Sequence, residues 1–440
     1  MKISNWGNYP VIDAEYKSFY TEAELKTLLK ESDECIARGL GRCYGDSALS
    51  STIISTTRFN HMLSFDEETG LLECEAGVSL EEILEVFVPR GWFLPVTPGT
   101  KFVTVGGAIA SDVHGKNHHV SGSISNQIVS MDVMTSDGKV QTCTKRKNKN
   151  LFWATCGGMG LTGVILRASF HLIPIESAYI RQETIKAKNL DEIMEIFEDS
   201  VDWTYSVAWI DCLASGENQG RSIMMRGEHA KLDELAGEKK EKPLELPEKR
   251  KLNIPFNFPS FALNTWSVKA FNELYYRKAP NEKTEAIIGY DTFFYPLDAI
   301  HNWNRIYGKR GFTQYQFVLP KATSKEGLKR ILDVIAASGQ GSFLAVLKLF
   351  GKQDDLLSFP KEGYTLALDF PITPTLFELF EELDRLVLVY DGRLYLTKDV
   401  RMDAAMMGKG YEKLEEFKTI KEKVDPRSLF HSLQSKRVGL

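Results

Sequence analysis

Apolar residues recur three and four apart in FYTEAELKTLLKE, where Thr21 and Glu24 form a capping-box start, and this predicts a helix within residues 19–31. The period then shortens. ECIARGLG reads as a short strand entering a glycine turn, with TIISTTRF and LLECEAG as further extended segments. SLEEILEVFVPRG is a second helix, opened by Ser79 with Glu82 three residues on. WFLPVTPGT, GGAIASDVHGKNHH, IVSMDVMTSDGKVQTCT and GVILRASFHLIPI continue in β-rich fashion, with a hairpin signal at Asp137-Gly138. Residues 1–175 therefore read as an α+β unit of many short strands.

After Pro174 the pattern changes. ETIKAKNLDEIMEIFEDS gives strand then helix, and YSVAWIDCL and RSIMMRGEH give strands. Between 238 and 251 the chain holds ten charged residues in fourteen, with two prolines, a composition too polar for a core. It reads as a mobile loop over about 236–252. The apolar LNIPFNFPSFALNTW follows: it suits either a lid with an apolar face or a core segment, and the core reading is preferred. TQYQFVLP (strand), KEGLKRILDVIAAS (helix), FLAVLKLFG and YTLALDFPI (strands) and PTLFELFEELDRLVLVYDG (helix) complete a second α+β unit, 176–392. The tail, 393–440, is helical until Asp425-Pro426.

Composition narrows the function classes. A net charge of −5 over 440 residues gives no basic footprint, so no nucleic-acid partner is expected. Six scattered cysteines without a C-x-x-C pair favour reduced thiols and a cytoplasmic chain. No signal peptide or spanning segment is read, which leaves only peripheral membrane contact open.

The candidate chemistry starts at ARGLGRCYGDS. Gly39, Gly41 and Gly45 approach a dinucleotide fingerprint, but that fingerprint must open a helix, and GDSALSSTIISTT suits a turn and another strand. What remains is a glycine-rich nest of amides for an anion, or a tight turn without ligand. Two more glycine clusters, in PGTKFVTVGGAIASDVHGKNHHVSG and GGMGLTGVI, favour a long ligand with several points of approach.

Together ARGLGRCYGDS, PVTPGTKFVTVGGAIASDVHGKNHH, LFWATCGGMGLTGVI and LYLTKD resemble the vanillyl-alcohol-oxidase superfamily of FAD enzymes. Within it the likeness is greatest to the decaprenylphosphoryl-ribose 2′-oxidase family, and QYQFV, LKLFG and DFPI extend it through the second half. The resemblance implies an α+β fold: a two-part FAD-binding domain (1–175 with 393–440) and an α+β substrate cap (176–392). It implies a diphosphate loop of Arg38, Gly39, Leu40, Gly41, Arg42, Cys43, Tyr44, Gly45, Asp46 and Ser47. Gly99, Thr104, Val105, Gly106, Gly107, Ser111, Asp112, Val113 and His114 would line the rest of FAD, with Ile165 at the adenine side and Tyr395 near the flavin. Relatives that bind FAD covalently carry a histidine where this chain has Arg42, so a non-covalent cofactor is expected. Cys43 stands where the sugar-lipid oxidases have Ser, and a packed thiol is preferred there over a cysteinyl link.

The implied reaction is oxidation of a sugar secondary alcohol to a ketone by hydride transfer to flavin N5, on a polyprenyl-phosphate pentose. A short-chain reductase would complete the epimerisation. The alternatives are an oxidase of free alditols or aldonolactones, and a flavoprotein scaffold without turnover. Lys398 is the expected catalytic cation, for a developing alkoxide or the charge of the reduced flavin; without the resemblance it reads as a surface lysine paired with Asp399. His114 is either the proton acceptor or an orienting residue. Tyr44, Lys116, Trp209, Gln314, Gln316, Lys348 and Thr365 would contact substrate, the two lysines at its phosphate. Alternation sets Lys348 opposite Leu347 and Leu349, towards a polar pocket. Thr365 and Ala367 replace an Asn and a Cys of those oxidases. His114, His118 and His119 lack an accompanying carboxylate or Cys, so no metal is expected.

Overall fold

The computed structural model describes residues 1–247, 252–259 and 262–440. Its first part holds two sheets. Glu15–Ser18, Thr52–Ser55 and Ile36–Arg38 form a parallel three-stranded sheet with Thr52–Ser55 in the centre. The turn 39–51 therefore joins two parallel neighbours instead of opening a helix. Five antiparallel strands form the second sheet, in the order Val140–Cys143, Ile128–Met134, Val164–His171, Leu71–Glu75 and Met62–Asp66. The Asp137-Gly138 hairpin joins the first two, with Gly138 at φ 74°. The helices Glu22–Glu31 and Leu80–Phe87 both start at the capping boxes read from sequence, Thr21/Glu24 and Ser79/Glu82.

The β-rich reading of GGAIASDVHGKNHH is corrected. Val105–Ala110 is a helix, because Thr104 accepts a hydrogen bond from Gly107 N–H (3.2 Å) and starts it. His118–Ser121 is a second short helix.

The second part is an eight-stranded sheet. Its order is Thr284–Gly289, Tyr179–Ala187, Ser222–His229, Tyr205–Ile210, Ala345–Phe350, Gly363–Pro371, Phe312–Pro320 and Arg393–Leu394. Alternation splits its residues between two faces. Tyr315, Phe317, Leu319, Leu347, Leu349, Leu366 and Leu368 pack in one core with Ile193 and Phe197 of Leu190–Glu198, Leu328, Ile331, Leu332 and Ile335 of Lys321–Ser338, and Leu379, Phe380 and Leu383 of Leu376–Val389. Each such side chain contributes about 1.5–3 kcal/mol by leaving water. The opposite face carries Trp209, Gln314, Gln316, Val346, Lys348, Thr365, Ala367 and Asp369, in register.

The chain after Leu376–Val389 returns to the first part. Arg393–Leu394 closes the edge of the eight-stranded sheet. Beyond the helices Ala404–Gly410 and Leu414–Val424, Phe430 bridges Cys35 in parallel, extending the three-stranded sheet. Arg437 ion-pairs with both Asp46 (2.7 Å) and Asp399 (2.9 Å), joining the glycine turn to the tail.

Part of the 236–252 loop lies outside the described residues; Glu238–Glu241 within it is a single helical turn. The core reading of LNIPFNFPSFALNTW is corrected: Phe256 and Leu252 are exposed, because the next element is a surface helix, Thr265–Lys278, capped by Asn264. Sequence reading missed that helix, whose apolar positions follow no single stripe.

Candidate active site

The turn after Ile36–Arg38 is held in an open bend. A Cβ on Gly39 would lie 2.2 Å from Thr104 Oγ1, and one on Gly45 only 1.9 Å from the Asp399 carbonyl, so only glycine allows the turn to pack against both. Asp46 is engaged by Arg437 and Tyr44 N–H by the Thr397 carbonyl (3.0 Å). Among the described residues, no protein group accepts from the amides of Gly39, Leu40, Gly41, Arg42 or Cys43. Five consecutive free amides lie beside the unpartnered, buried Arg38 Nη1, a set of donors of the kind an anion satisfies. Arg42 lies between the rings of Trp6 (4.1 Å) and Phe102 (5.1 Å).

The other two glycine clusters differ. Val105 and Gly106 donate to Val78 and Ala76, Gly157 and Met159 to Ile109 and Ala110, so these amides bind protein. They pack the Val105–Ala110 helix between its neighbours, a role that composition does not separate from a nest. Gly99 is exposed with open space around it, and Ile165 is buried in the core of the five-stranded sheet. Asp112, at φ 40°, takes hydrogen bonds from Ser123 (2.7 Å), Ser125 N–H (3.0 Å), Gln353 (2.8 Å) and Ser358, which leaves no free carboxylate oxygen for a ligand. Ser111 accepts the Tyr395 hydroxyl at 2.8 Å, and Val113 accepts Ile124 N–H at 2.9 Å.

His114 stands where the two parts meet, against Phe350 (4.7 Å), Tyr395 (5.2 Å) and Phe359 (5.7 Å). Gln316 Nε2 lies 3.1 Å from His114 Nε2, and the other ring nitrogen, Nδ1, is buried and without a protein partner among the described residues. Burial first, then Lys348, His118 and Lys398, hold its imidazole well below the usual range. Gln316 is steadied by Thr365 Oγ1 (3.3 Å), whose hydroxyl donates to the Phe317 carbonyl (2.8 Å). Thr365 is fully buried on the same strand face as Lys348 and Ala367.

Four lysine or histidine side chains converge on this face against one carboxylate. Lys398 Nζ lies 3.9 Å over the Tyr44 ring, and its sequence neighbour Asp399 pairs with Arg437 instead. Burial pushes Lys348 down to about 8, and it has no protein partner among the described residues. Burial and then Lys348 push Lys116 down to about 7; its Nζ donates to the Phe293 carbonyl and lies 4.1 Å from the Phe293 ring. Trp209 Nε1 donates to the Phe343 carbonyl (3.0 Å), which presents the indole face. The carboxylate is Asp369, which sequence reading missed although it shares the strand face of Thr365 and Ala367 in YTLALDFPI. It accepts from Gln314 (2.5 Å) and Tyr307 (3.4 Å). Of the predicted residues, Tyr44, His114, Gln314, Gln316, Lys348, Thr365, Tyr395 and Lys398 come together, with Lys116 at one side.

A family model for an FAD binding domain matches residues 21–144. The chain is 38% identical over 450 residues to decaprenylphosphoryl-beta-D-ribose oxidase of Mycolicibacterium smegmatis, covering 100% of this chain and 97% of that one. It belongs to that family of FAD-linked oxidases. An uncharacterized protein in the mprA 5′ region of Streptomyces coelicolor is 31% identical over 373 residues, 82% of this chain and 100% of the other. L-gulonolactone oxidase of Scyliorhinus torazame is 26% identical over 189 residues, 41% of this chain and 42% of that enzyme. The protein is an FAD-dependent oxidoreductase of α+β fold. The free amides of 39–43 and the unpartnered Arg38 Nη1 and His114 Nδ1 fit such a cofactor. Among the described residues no helix is long and apolar enough to cross a membrane.

Proposed function

We propose that this chain oxidises a secondary hydroxyl of a pentose carried on a polyprenyl phosphate, and that a short-chain reductase then reduces the ketone to complete an epimerisation. The observation that carries the reading is the pocket face: two unneutralised half-buried lysines, 116 and 348, beside two glutamines and the Lys398–Tyr44 pair. Such cations suit a phosphate, and a neutral polyol gains nothing from them. The name of the oxidase that shares the whole length of this chain points to the same substrate class.

Residues 1–175 with 393–440 act as the FAD-binding domain and 176–392 as the cap. The amides of Gly39–Cys43 and Arg38 hold the FAD diphosphate, with the rest of Arg38–Ser47 shaping the turn. Gly99, Thr104–Gly107, Ser111–His114, Ile165 and Tyr395 line the remainder. Bound FAD supplies the acceptor for the hydride. Lys398 stabilises the negative charge that develops on the substrate oxygen. Gln314 and Gln316 orient sugar hydroxyls, Trp209 gives the ring a flat wall, and Lys116 and Lys348 hold the phosphate. His114 acts as a neutral hydrogen-bond donor through Nδ1, since a strongly depressed imidazole is a poor proton acceptor. Arg42 in the histidyl position leaves FAD non-covalent, and burial pushes the Cys43 thiol up, away from a reactive thiolate.

The test is anaerobic mixing of the yellow protein with polyprenyl-phosphate pentoses and with free polyols, following flavin absorbance. Bleaching by the former alone is expected. Bleaching by polyols alone overturns the substrate class, and no bleaching by any sugar returns the scaffold reading.

Trp209 meets Tyr275 edge-on (4.8 Å) and Tyr275 stacks on Phe271 (5.8 Å) on one side of Thr265–Lys278, while Trp266 (82% exposed) projects from the opposite side and Leu274 (70% exposed) is exposed between them. This helix therefore rests on the lipid surface that holds the substrate. Phosphatidylcholine vesicles should sediment the protein, and a Trp266→Ser/Leu274→Ser double variant should bind them at least about tenfold more weakly. Equal binding by both removes the helix from membrane contact.

A further inference from the structure

Between the strands Ala345–Phe350 and Gly363–Pro371 the chain leaves the eight-stranded sheet and lies against the Asp112 turn of the first part. We propose that Gln353 in this segment is a positioning residue: its amide clasps the strand that carries Lys348 to the turn that carries His114, and so fixes the spacing across the pocket between them. The inference rests on the reading of this pocket as the site of hydride transfer, with Lys348 at the phosphate, and deepens it.

Three hydrogen bonds in series make the clasp, and a backbone amide sets their direction. Gly351 N–H donates to His118 Nδ1 at 3.2 Å, so that nitrogen carries no proton. Burial holds His118 at about 4, so the ring is neutral at pH 7 and its proton sits on Nε2. Nε2 lies 2.9 Å from Gln353 Oε1, which accepts that proton and turns the amide NH2 towards Asp112. There Gln353 Nε2 donates to Asp112 Oδ2 at 2.8 Å. Ser123 Oγ and Ser358 Oγ, both at 2.7 Å, and Asp355 Oδ2 at 3.0 Å surround the same nitrogen. Both serine hydroxyls donate to Asp112, which leaves their lone pairs open to the amide. Donor meets acceptor at both ends of Gln353, and a reversed amide would match at neither.

Each end of the clasp stands next to a pocket residue. Asp112 is fully buried at φ 40°, a left-handed bend that a non-glycine residue keeps only where its surroundings enforce it. Two residues on, His114 pairs its backbone with that of Ser123, whose hydroxyl is bonded to Asp112. On the other side, Gly351 follows Phe350 at the end of the Lys348 strand, and Phe350 packs on both His118 (4.4 Å) and His114 (4.7 Å). The approach is close, since a Cβ on Gly351 would lie 3.1 Å from the His119 backbone. Without the Gln353 amide, Asp112 keeps its bonds from Ser123, Ser125 and Ser358, so the turn still forms. What loosens is the spacing between His114 and Lys348. A bound sugar whose reacting carbon is displaced by about 1 Å loses about 10²-fold in rate and keeps its phosphate contacts.

The experiment compares the FAD-loaded protein with a Gln353→Met variant, which keeps the volume and removes both bonds. Hydrogen–deuterium exchange at histidine C2, read by mass spectrometry without any sugar, reports each histidine separately. His118 and His114 should both exchange severalfold faster in the variant, although Gln353 touches only the first. His61 and His171, at the five-stranded sheet, should keep the parent rates. In stopped-flow reduction the rate at saturating polyprenyl-phosphate pentose should fall about 10–10²-fold, with its Kd within about threefold of the parent's. Gln353→Glu keeps the shape and sets a second carboxylate against Asp112, so it should be slower than Gln353→Met. In Asp112→Asn/Gln353→Glu the new amide can donate to the new carboxylate, and the rate should recover at least about tenfold over Gln353→Glu alone. A residue that merely fills space would show neither that order nor that recovery. Unchanged His114 exchange in Gln353→Met, a loss that falls on Kd in place of the rate, or no recovery in the double variant overturns the inference. If no pentose bleaches even the parent, the substrate reading falls, and the exchange rates still decide whether Gln353 holds His114.

Discussion

Lys398→Ala should yield a yellow protein that binds FAD as the parent does and scarcely bleaches with sugar. The turn that carries Lys398 does not depend on its side chain: Lys398 N–H and Asp399 N–H both donate to the Tyr395 carbonyl (3.0 and 3.1 Å). Asp399 further anchors it through Arg437 and through the amides of Arg401 (3.0 Å) and Met402 (2.8 Å). Truncation therefore removes an ammonium and a cation–π contact while the backbone stays. A positive charge in a dry pocket acts on an oxygen whose charge grows only as the hydride departs, so its loss falls on the rate of reduction and little on substrate affinity. We expect that rate to fall about 10²–10³-fold, as for the loss of one preorganised group at a developing oxyanion. Anaerobic stopped-flow absorbance measures the rate, and fluorescence titration of the FAD-free chain checks cofactor affinity. A bleaching rate within about threefold of the parent would take Lys398 out of the mechanism. Loss of FAD instead would make it a cofactor-binding residue.

What sequence revealed of this site follows the range of the forces that build it. The strand face of Gln314, Gln316 and Lys348 was legible because alternation is local, and register with Thr365 and Ala367 needs only antiparallel pairing. The turn at Gly39–Gly45 was legible as a turn between two strands for a similar reason. Its context, strand before and strand after, already excluded a helix-opening dinucleotide loop. In the other two glycine clusters several amides bond protein, and glycine needed for close packing or positive φ, as at Gly157 and Gly160, has the same letter as glycine needed for a ligand. Val105–Ala110 was hidden because its two glycines disfavour a helix, and only the Thr104 cap and its burial between Ala76 and Gly157 overrule that propensity. Thr365 was placed at substrate by resemblance, and its hydroxyl bonds both Gln316 and the Phe317 carbonyl of the neighbouring strand. Asp369 was missed because its partners Tyr307 and Gln314 lie 62 and 55 residues away, and a lone Asp ending an apolar strand reads as an edge residue.

Lys348→Met should weaken substrate binding and, at neutral pH, make the protein more stable. Lys348 sits on an otherwise apolar strand, and burial, with no anion to offset it, holds it at about 8 against an ordinary 10.5. Because its folded value is depressed, the unfolded chain binds the extra proton between those limits, so this group costs stability at low pH and the cost fades as pH rises through that window. Methionine has similar volume and no charge, so the variant should gain about 1–3 kcal/mol at pH 7 and converge with the parent near pH 10.5, seen as a higher Tm in thermal scans. Binding moves the opposite way. A phosphate selects the protonated forms of Lys348 and Lys116, which titrate at about 8 and about 7 in the free protein, so affinity should fall as pH rises past them. Each lysine that loses its proton costs about tenfold in Kd per pH unit, until the unbound and bound forms titrate alike. In Lys348→Met one of these dependences disappears: the Kd for a phosphorylated sugar is already high at pH 7 and its pH slope is about one unit shallower. Removing Lys348 also relieves Lys116, which it holds down, so Lys116 titrates at higher pH in the variant. A neutral polyol should bind parent and variant alike at every pH. If instead the variant binds a phosphorylated pentose unchanged, or its stability falls at pH 7, the buried ammonium is part of the protein's own packing, and the phosphate must be sought elsewhere on the cap.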